Sequence, residues 1–584
     1  MMRFVALPVG GLDMTNMCFA EGASADAPFT LKIHRGEGMA LLAMNWREGT
    51  PPDDFVGFGI ESREPDATDF FPIKNRLTFE GSLEDASPLT RPASYSTLEA
   101  PIQKFRWVHF PFHADKVGEF TYRVTPVFMD PDGSLRRGPP QEASLELARE
   151  TYPGILNVAF TRGFVASQAF VDRYQAKGDI STLLPPSSKV GLTFQPSHPE
   201  AQDAYDWMGF EARREILAAL DAAIADPTAQ VGIVAFDFDL PEILEKVKTL
   251  GKDRVRIIID NSDDHVGGAE DQAETALRAA GIPVLRQHMA KLQHNKTIYV
   301  DGKDVQLAIG GSTNMSWRGL FVQNNNAVVL RGPRAVTVFK AAFEQYWSGA
   351  DAFGGSDSAG WIALGYDDVD VSITFSPHSG KKSALQGIGD DIAKATSSIF
   401  YSLAFLAITP GTIREALAKS TSDPKLFVAG ISDQHTGIEV ASGSSNRPPT
   451  FVAPLGAGAP EPFRSEPSGL TAKGGGTRMH HKLIVLDFNT DAARVYTGSY
   501  NMSKAADGSN GENLLLIRDR RVATSYMVEA LSMIDHYEFR VAQAAAKEAG
   551  KRLQLKRPPQ AGGKAWWAED WSDARKINDR LLFA

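Results

Sequence analysis

Two stretches of the chain carry the same three reactive side chains at the same spacing. His294, Lys296 and Asp301 form one H-x-K-x4-D triplet, and His480, Lys482 and Asp487 form the other. The step from 294 to 480 is 186 residues, as is the step from 301 to 487. Each triplet is followed by a Gly-Ser turn and an asparagine, Gly311-Ser312-Thr313-Asn314 and Gly498-Ser499-Tyr500-Asn501. One such triplet arises readily by chance; two in register, each with the same downstream turn, mark a duplicated functional unit. The chemistry on offer is specific. One imidazole can attack phosphorus while a second protonates the leaving oxygen. Lys296, Lys482, Asn314 and Asn501 can donate hydrogen bonds to nonbridging oxygens as charge develops. A phosphodiester suits that set, with no metal and no cofactor.

The elements that must present these groups follow from periodicity. Ile298 and Val300 in the first copy, and Ile484 and Leu486 in the second, read as buried strands. On a strand, alternate residues share a face, so His294 aligns with Lys296 and His480 with Lys482. His481 then points away and reads as a bystander. A metal site built from His480, His481 and Asp487 is disfavoured for the same reason, because alternation sends adjacent histidines apart. Asp301 and Asp487 complete the candidate catalytic triplets as structural or orienting residues.

The duplicated H-x-K-x4-D followed by G-[GS]-x2-N resembles the phospholipase D superfamily over roughly residues 185 to 545. The resemblance implies two halves packed as one pseudo-symmetric α/β/α/β/α unit with the site between them, and a phosphohistidine intermediate. Carried over, His294 is the nucleophile and His480 the general acid. Asn510-Gly511-Glu512-Asn513 resembles the family segment whose carboxylate fixes a catalytic imidazole. In the first half Asn325 stands where Glu512 does. An amide holds a ring without stabilising its cation as a carboxylate does, so the two imidazoles are expected to differ. Ser312 and Ser499 join Glu512 and Asn325 as orienting residues. The implied activity is hydrolysis of a phosphodiester, or its transfer to an alcohol. The expected substrate is a phospholipid head group, reached by peripheral contact with a membrane. A metal-independent nuclease of the same superfamily is the alternative, on the strength of Gly498-Ser499-Tyr500-Asn501-Met502-Ser503 with Glu512-Asn513. A binding protein that kept the fold is disfavoured by two complete motifs. Two motifs in one chain imply a monomer for catalysis.

Around that unit the texture of the chain divides it into three. Residues 1–150 show short alternating runs broken by Gly, Pro and Asp, such as Phe120-Thr121-Tyr122-Arg123-Val124 before the turn Asp130-Pro131-Asp132-Gly133. That predicts a β-sandwich of fibronectin or immunoglobulin type. Residues 151–355 and 356–584 alternate strands with helices and form an α/β pair of halves, the second including the C-terminal tail. Thr193-Phe194-Gln195-Pro196 and Thr374-Phe375-Ser376-Pro377 are expected to open the two halves. His109 and His113 read as partly buried sandwich residues. Trp566, Trp567 and Trp571 read as a tail packed on the core rather than a membrane or base contact. Gln434 to Arg478, rich in Gly, Pro and Ser, reads as a lid or substrate-selecting loop, with a plain flexible insertion as the alternative, and lacks the order of a phosphate-cradling P-loop.

Bulk properties narrow the class further. At 584 residues the chain exceeds one core, and 43% hydrophobic with 23% charged residues is ordinary for a globular protein. With 61 basic against 71 acidic side chains, the net charge of −10 lacks the excess that drives nonspecific nucleic-acid binding. The lone Cys18 excludes an intrachain disulfide. Asp13 and Asn16 interrupt the apolar N-terminal run, so the expectation is a cytoplasmic protein without a signal peptide or transmembrane segment.

Overall fold

A computed structural model of the chain describes residues 18–79, 94–163, 167–349, 352–406, 409–432, 450–452 and 479–584. Most of the 434–478 stretch lies outside them, as does any lid role assigned to it. The chain divides into two compact units, residues 1–149 with 542–584, and residues 150–541. No helix among the described residues is long and apolar enough to cross a membrane.

Among its described residues the first unit contains two larger antiparallel sheets and a two-stranded pair, Lys74–Asn75 with Tyr95–Ser96. One larger sheet runs Phe19–Glu21, Phe29–Arg35, Ala40–Trp46, Arg106–His109; the other runs Leu135–Arg137, Glu119–Met129, Phe55–Arg63, Phe71–Pro72. Gln141–Glu146 also pairs with Glu119–Met129. Alternation sends Phe29, Leu31 and Ile33 inward to meet Phe55, Phe58 and Tyr122 of the second sheet. The sequence reading puts the C-terminal tail with the second half, whereas residues 542–584 belong to this unit. The reason is apolar burial. Trp567 is part of the sandwich core, and Trp566 stacks on Phe105 at 5.3 Å while its indole N–H donates to the Phe55 carbonyl at 2.9 Å. Each such aromatic contributes about 1.5–3 kcal/mol of burial. His109 is half-buried against the Tyr122 hydroxyl at 3.1 Å. His113, in contrast with the reading from sequence, is exposed and pairs with Glu64 at 2.9 Å.

The second unit holds two sheets of matched order. In chain numbers the first runs 156–160, 326–331, 306–311, 296–301, 230–235, 255–259, 284–286. The second runs 362–363, 370–376, 512–518, 494–498, 482–486, 398–403, 427–432, 450–452. Setting the two motif strands in register equates strand Gln230–Ala235 with Ser398–Leu403, since Ala235 lies opposite Lys296 and Leu403 opposite Lys482. Lys296–Asp301 and Lys482–Leu486 are buried on both faces almost throughout, as central strands covered on both sides must be. One expectation fails. Thr193 ends a short 3₁₀ turn, whereas Thr374 lies in a strand paired with Glu512–Arg518. The strand that opens the first half is Leu156–Phe160, paired with Asn326–Arg331 in the corresponding place. A shared Thr-Phe-x-Pro quartet was too short to fix register.

Candidate active site

The two motif strands each enter their sheet with a histidine just ahead of the first paired residue. At the last paired residue of the neighbouring strands, Gly311 and Gly498 turn with φ of +125° and +145°. A side chain there would collide with the backbone carbonyl of Asn326 or Asn513, at 2.4 and 2.2 Å. Glycine is therefore required where the serine that follows must swing toward the imidazoles.

His294 and His480, one from each half, face each other with ring centroids 6.4 Å apart at 66°. Each is buried, and each is held by the other half. His294 Nδ1 donates to Glu512 Oε2 at 2.8 Å, and His480 Nδ1 donates to Asn325 Oδ1 at 2.8 Å. Ser499 Oγ donates to the same Glu512 oxygen at 2.6 Å, and Ser312 Oγ donates to Asn325 Oδ1 at 2.9 Å. Asn510 supplies a third donor to the carboxylate at 3.0 Å. With Nδ1 so fixed, Nε2 is the nitrogen left for chemistry on both rings. Lys296 Nζ donates to the His294 carbonyl at 2.5 Å, and Lys482 Nζ to the His480 carbonyl at 2.8 Å. Both ammonium groups are therefore on the imidazole side of their strands.

Burial dominates the electrostatics. It lowers His294 below the ordinary histidine value; Glu512 opposes that, and the Lys296 ammonium adds to it. His480 is lowered well below, by burial and then by the ammonium groups of Lys482 and Lys296, with no carboxylate in opposition. Lys296 is itself brought down to about 8 by burial. The halves thus differ in the way the Glu512/Asn325 difference in the sequence implies.

The remaining candidates occupy two kinds of place. Asn314 is buried, its amide N–H donating to Asp237 Oδ2 at 2.6 Å, and Asn501 is half-buried at the matching position. Asp301 and Asp487, counted in the catalytic triplets from sequence, stand at the opposite ends of their strands. Five residues of extended chain from each lysine carry them about 16 Å away. Asp301 pairs with Lys340 at 2.8 Å. Asp487 is buried with φ +53° and accepts the backbone N–H groups of Thr396, Ser397 and Ser398 at 2.7–3.3 Å. Both are scaffold residues.

Other residues at the site escaped the motif reading. His481 is no bystander: its Nδ1 accepts from Asn326 Nδ2 at 3.1 Å, and its Nε2 meets Glu529 at 3.0 Å. In the pseudo-equivalent place Asn513 donates to Asn295 at 3.3 Å and accepts from the Gly311 N–H at 2.9 Å. The signal was present as Asn326 and Asn513, matched asparagines directly after the orienting residues. Behind His294 lies a second cluster, Asp237, Asp260, His265 and Glu270. Ligand atoms of Asp237, His265 and Glu270 fall within 4.8 Å of one another, and among the described residues theirs is the grouping with metal-ligand chemistry. Both ring nitrogens of His265 are already engaged by carboxylates, Asp260 at 2.7 Å and Asp237 at 3.0 Å.

The chain is similar to known proteins over this unit. The sequence model of the family described as "Cardiolipin synthase, PLD-like domain" matches residues 220–347 and 389–534, a pair of segments that contains both triplets. The mitochondrial cardiolipin hydrolase of Chlamydomonas reinhardtii is 30% identical over 109 residues, 19% of this chain and 46% of that protein. A phospholipase D of Rickettsia felis is 44% identical over 48 residues, 8% of this chain and 22% of that protein. The matches thus span less than half the length of these curated relatives. Among solved structures, phosphatidylserine synthase of Haemophilus influenzae overlays with a TM-score of 0.40 at 11% identity, covering 55% of this chain and 84% of that one.

Proposed function

The chain belongs to the phospholipase D superfamily, and on that premise we propose that it is a phosphodiesterase that cleaves a phospholipid head group through a phosphohistidine. The observation that carries the reading is the crossed pair of imidazoles, each held at Nδ1 by the opposite half with its Nε2 left for substrate. The relatives' names, a cardiolipin hydrolase and a phospholipase D, favour lipid as the substrate class.

In the first step His294 Nε2 attacks phosphorus and the bond to the leaving oxygen breaks. His480 Nε2–H gives that oxygen its proton. Positive charge appears on the His294 ring, where the Glu512 carboxylate accepts from Nδ1–H and stabilises it; this makes His294 the better nucleophile. The amide partner Asn325 leaves His480 a stronger acid, ready to release its proton. In the second step His480 takes a proton from water or an alcohol, whose oxygen attacks phosphorus and releases His294. Lys296 and Lys482 offset the charge of the nonbridging oxygens, and Asn314 and Asn501 donate hydrogen bonds to them.

The test incubates the protein with phosphatidylcholine vesicles and, separately, with single-stranded DNA, each with and without EDTA, alongside His294→Asn. Choline release that survives EDTA and is abolished by the substitution is the expected result. DNA cleavage without choline release would transfer the same chemistry to a nuclease, and activity retained in His294→Asn would overturn the nucleophile.

A further inference from the structure

The first half carries a buried charged array that the mechanism above does not use. His265 lies between two carboxylates, its Nδ1 2.7 Å from Asp260 Oδ2 and its Nε2 3.0 Å from Asp237 Oδ1. Carboxylates accept and do not donate, so the ring holds both protons and is an imidazolium. Burial lowers His265, but its hydrogen bonds to Asp237 and Asp260 outweigh that and carry it up to about 10. Burial pushes Asp237 and Asp260 up, but hydrogen bonds and charges led by His265, joined by Arg318 and Lys296 at Asp237 and by Ser262 and the Gln293 N–H at Asp260, bring both below the ordinary carboxylate value.

Each carboxylate uses its second oxygen on the catalytic pocket. Asp260 Oδ1 accepts the backbone N–H of Gln293, the residue before His294, at 2.6 Å. Asp237 Oδ2 accepts from the Asn314 amide at 2.6 Å. The chain around Asp237 is strapped to the chain after Asn314: Phe238 bridges to Met315, and Asp239 accepts the Trp317 N–H at 2.9 Å. Phe236 fills the remaining space, its ring 4.4 Å from His265 and 4.6 Å from His294. Because Asp237 can only accept, it fixes which end of the Asn314 amide faces it. It engages one amide hydrogen and leaves the second for substrate. At the equivalent register the second half has Phe405, which offers no such partner to Asn501.

We propose that Asp237, anchored through one oxygen to His265 and through the other to the Asn314 amide, is a positioning residue that presents the Asn314 N–H to a nonbridging phosphate oxygen, so that the first half supplies the directed grip on the phosphate. The inference rests on the phosphodiesterase reading for its kinetic test but not for its binding test.

Hydrolysis of bis(4-nitrophenyl) phosphate and binding of inorganic phosphate by calorimetry are measured for the full chain and for Asn314→Ala, Asp237→Ala, Asp237→Asn and the Asn314→Ala/Asp237→Ala pair. Asn314→Ala is expected to lower kcat about a hundred-fold, the cost of losing one aimed donor. Asp237→Ala is expected to lower it about ten-fold, and the double variant to lose no more than Asn314→Ala, since residues acting as one unit are not additive. Asp237→Asn, which keeps an acceptor oxygen, is expected to recover part of the loss. Phosphate affinity should fall in the same order.

Rescue by Asp237→Asn supplies the readout that a merely structural role would not move, since it restores an acceptor for the Asn314 amide without the charge. Additive losses in the double variant, equal phosphate binding by all forms, or no recovery in Asp237→Asn relative to Asp237→Ala would each overturn the proposal. Phosphate binding that follows the expected order in a protein with no diesterase turnover would retain the grip and remove the phosphodiesterase reading.

Discussion

The two halves of the catalytic unit share a sheet order and a motif, yet they treat their histidines differently. The His294 ring faces a carboxylate, Glu512, that accepts three donors; the His480 ring faces an amide, Asn325. The two imidazoles differ by one carboxyl-to-amide change, 13 residues after each Gly-Ser serine, and on the proposed mechanism that change separates them into a ring that bears charge and a ring that sheds it. A symmetric scaffold thus needs little beyond one atom type to run an asymmetric reaction.

That comparison breaks most completely at the rings. His480→Asn and His294→Asn should each lower kcat at least about 10³-fold. Only His480→Asn should still accumulate phosphoprotein from a substrate whose leaving group needs no proton, as read by mass spectrometry. Phosphate found on His480 instead would reverse the roles. Glu512→Gln makes the halves alike and is expected to cost about 10²-fold in kcat, with little change in KM, because the lost interaction grows in the transition state.

A smaller effect sharpens the electrostatic side. Lys296 is charged below about 8 and neutral above. Its grip on a phosphate oxygen is therefore complete at low pH and lost as pH rises through about 8, so kcat/KM should fall on that alkaline limb. Lys296→Arg should move the limb upward, and an unmoved limb would assign it to another group. Smallest of all are the terminal aspartates. Asp487→Ala removes the acceptor of three backbone N–H groups, that of buried Ser398 among them, and should cost about 1–3 kcal/mol in a denaturant titration. Asp301→Ala removes a partly exposed ion pair with Lys340 and should cost about 0–1 kcal/mol. Neither should change kcat of the folded protein.

Legibility in the sequence followed the range of the interaction. Strand alternation is local, so the facing of His294 with Lys296 and the burial of Ile298 and Val300 could be read from a few consecutive residues. That Glu512 and Asn325 each hold a catalytic imidazole came from the repeat and the family resemblance, which supplied information that periodicity lacks, whereas their reach to the opposite half's ring became visible only in the structure. What had no repeat was missed. Asp237 and His265 are 28 residues apart and have no described counterpart, Phe405 standing opposite Asp237. His481 was misjudged because alternation gives direction but not destination: the far side of its strand meets Asn326 and Glu529 rather than an inert core. The tail tryptophans were placed in the wrong unit because apolar bulk signals burial without naming the core that receives it.

The crossed hydrogen bonds have a consequence for how such a chain can be divided or descended. Neither repeat contains the partner that steadies its own imidazole, so a lone half has a loose ring and no chemistry until a second half arrives. Pairing two first halves would set an amide against each ring, and pairing two second halves would set a carboxylate against each. The division of labour exists only in the heterologous pair. Tethering the halves in one polypeptide guarantees that combination at every molecule, which a self-assembling duplicate would leave to chance.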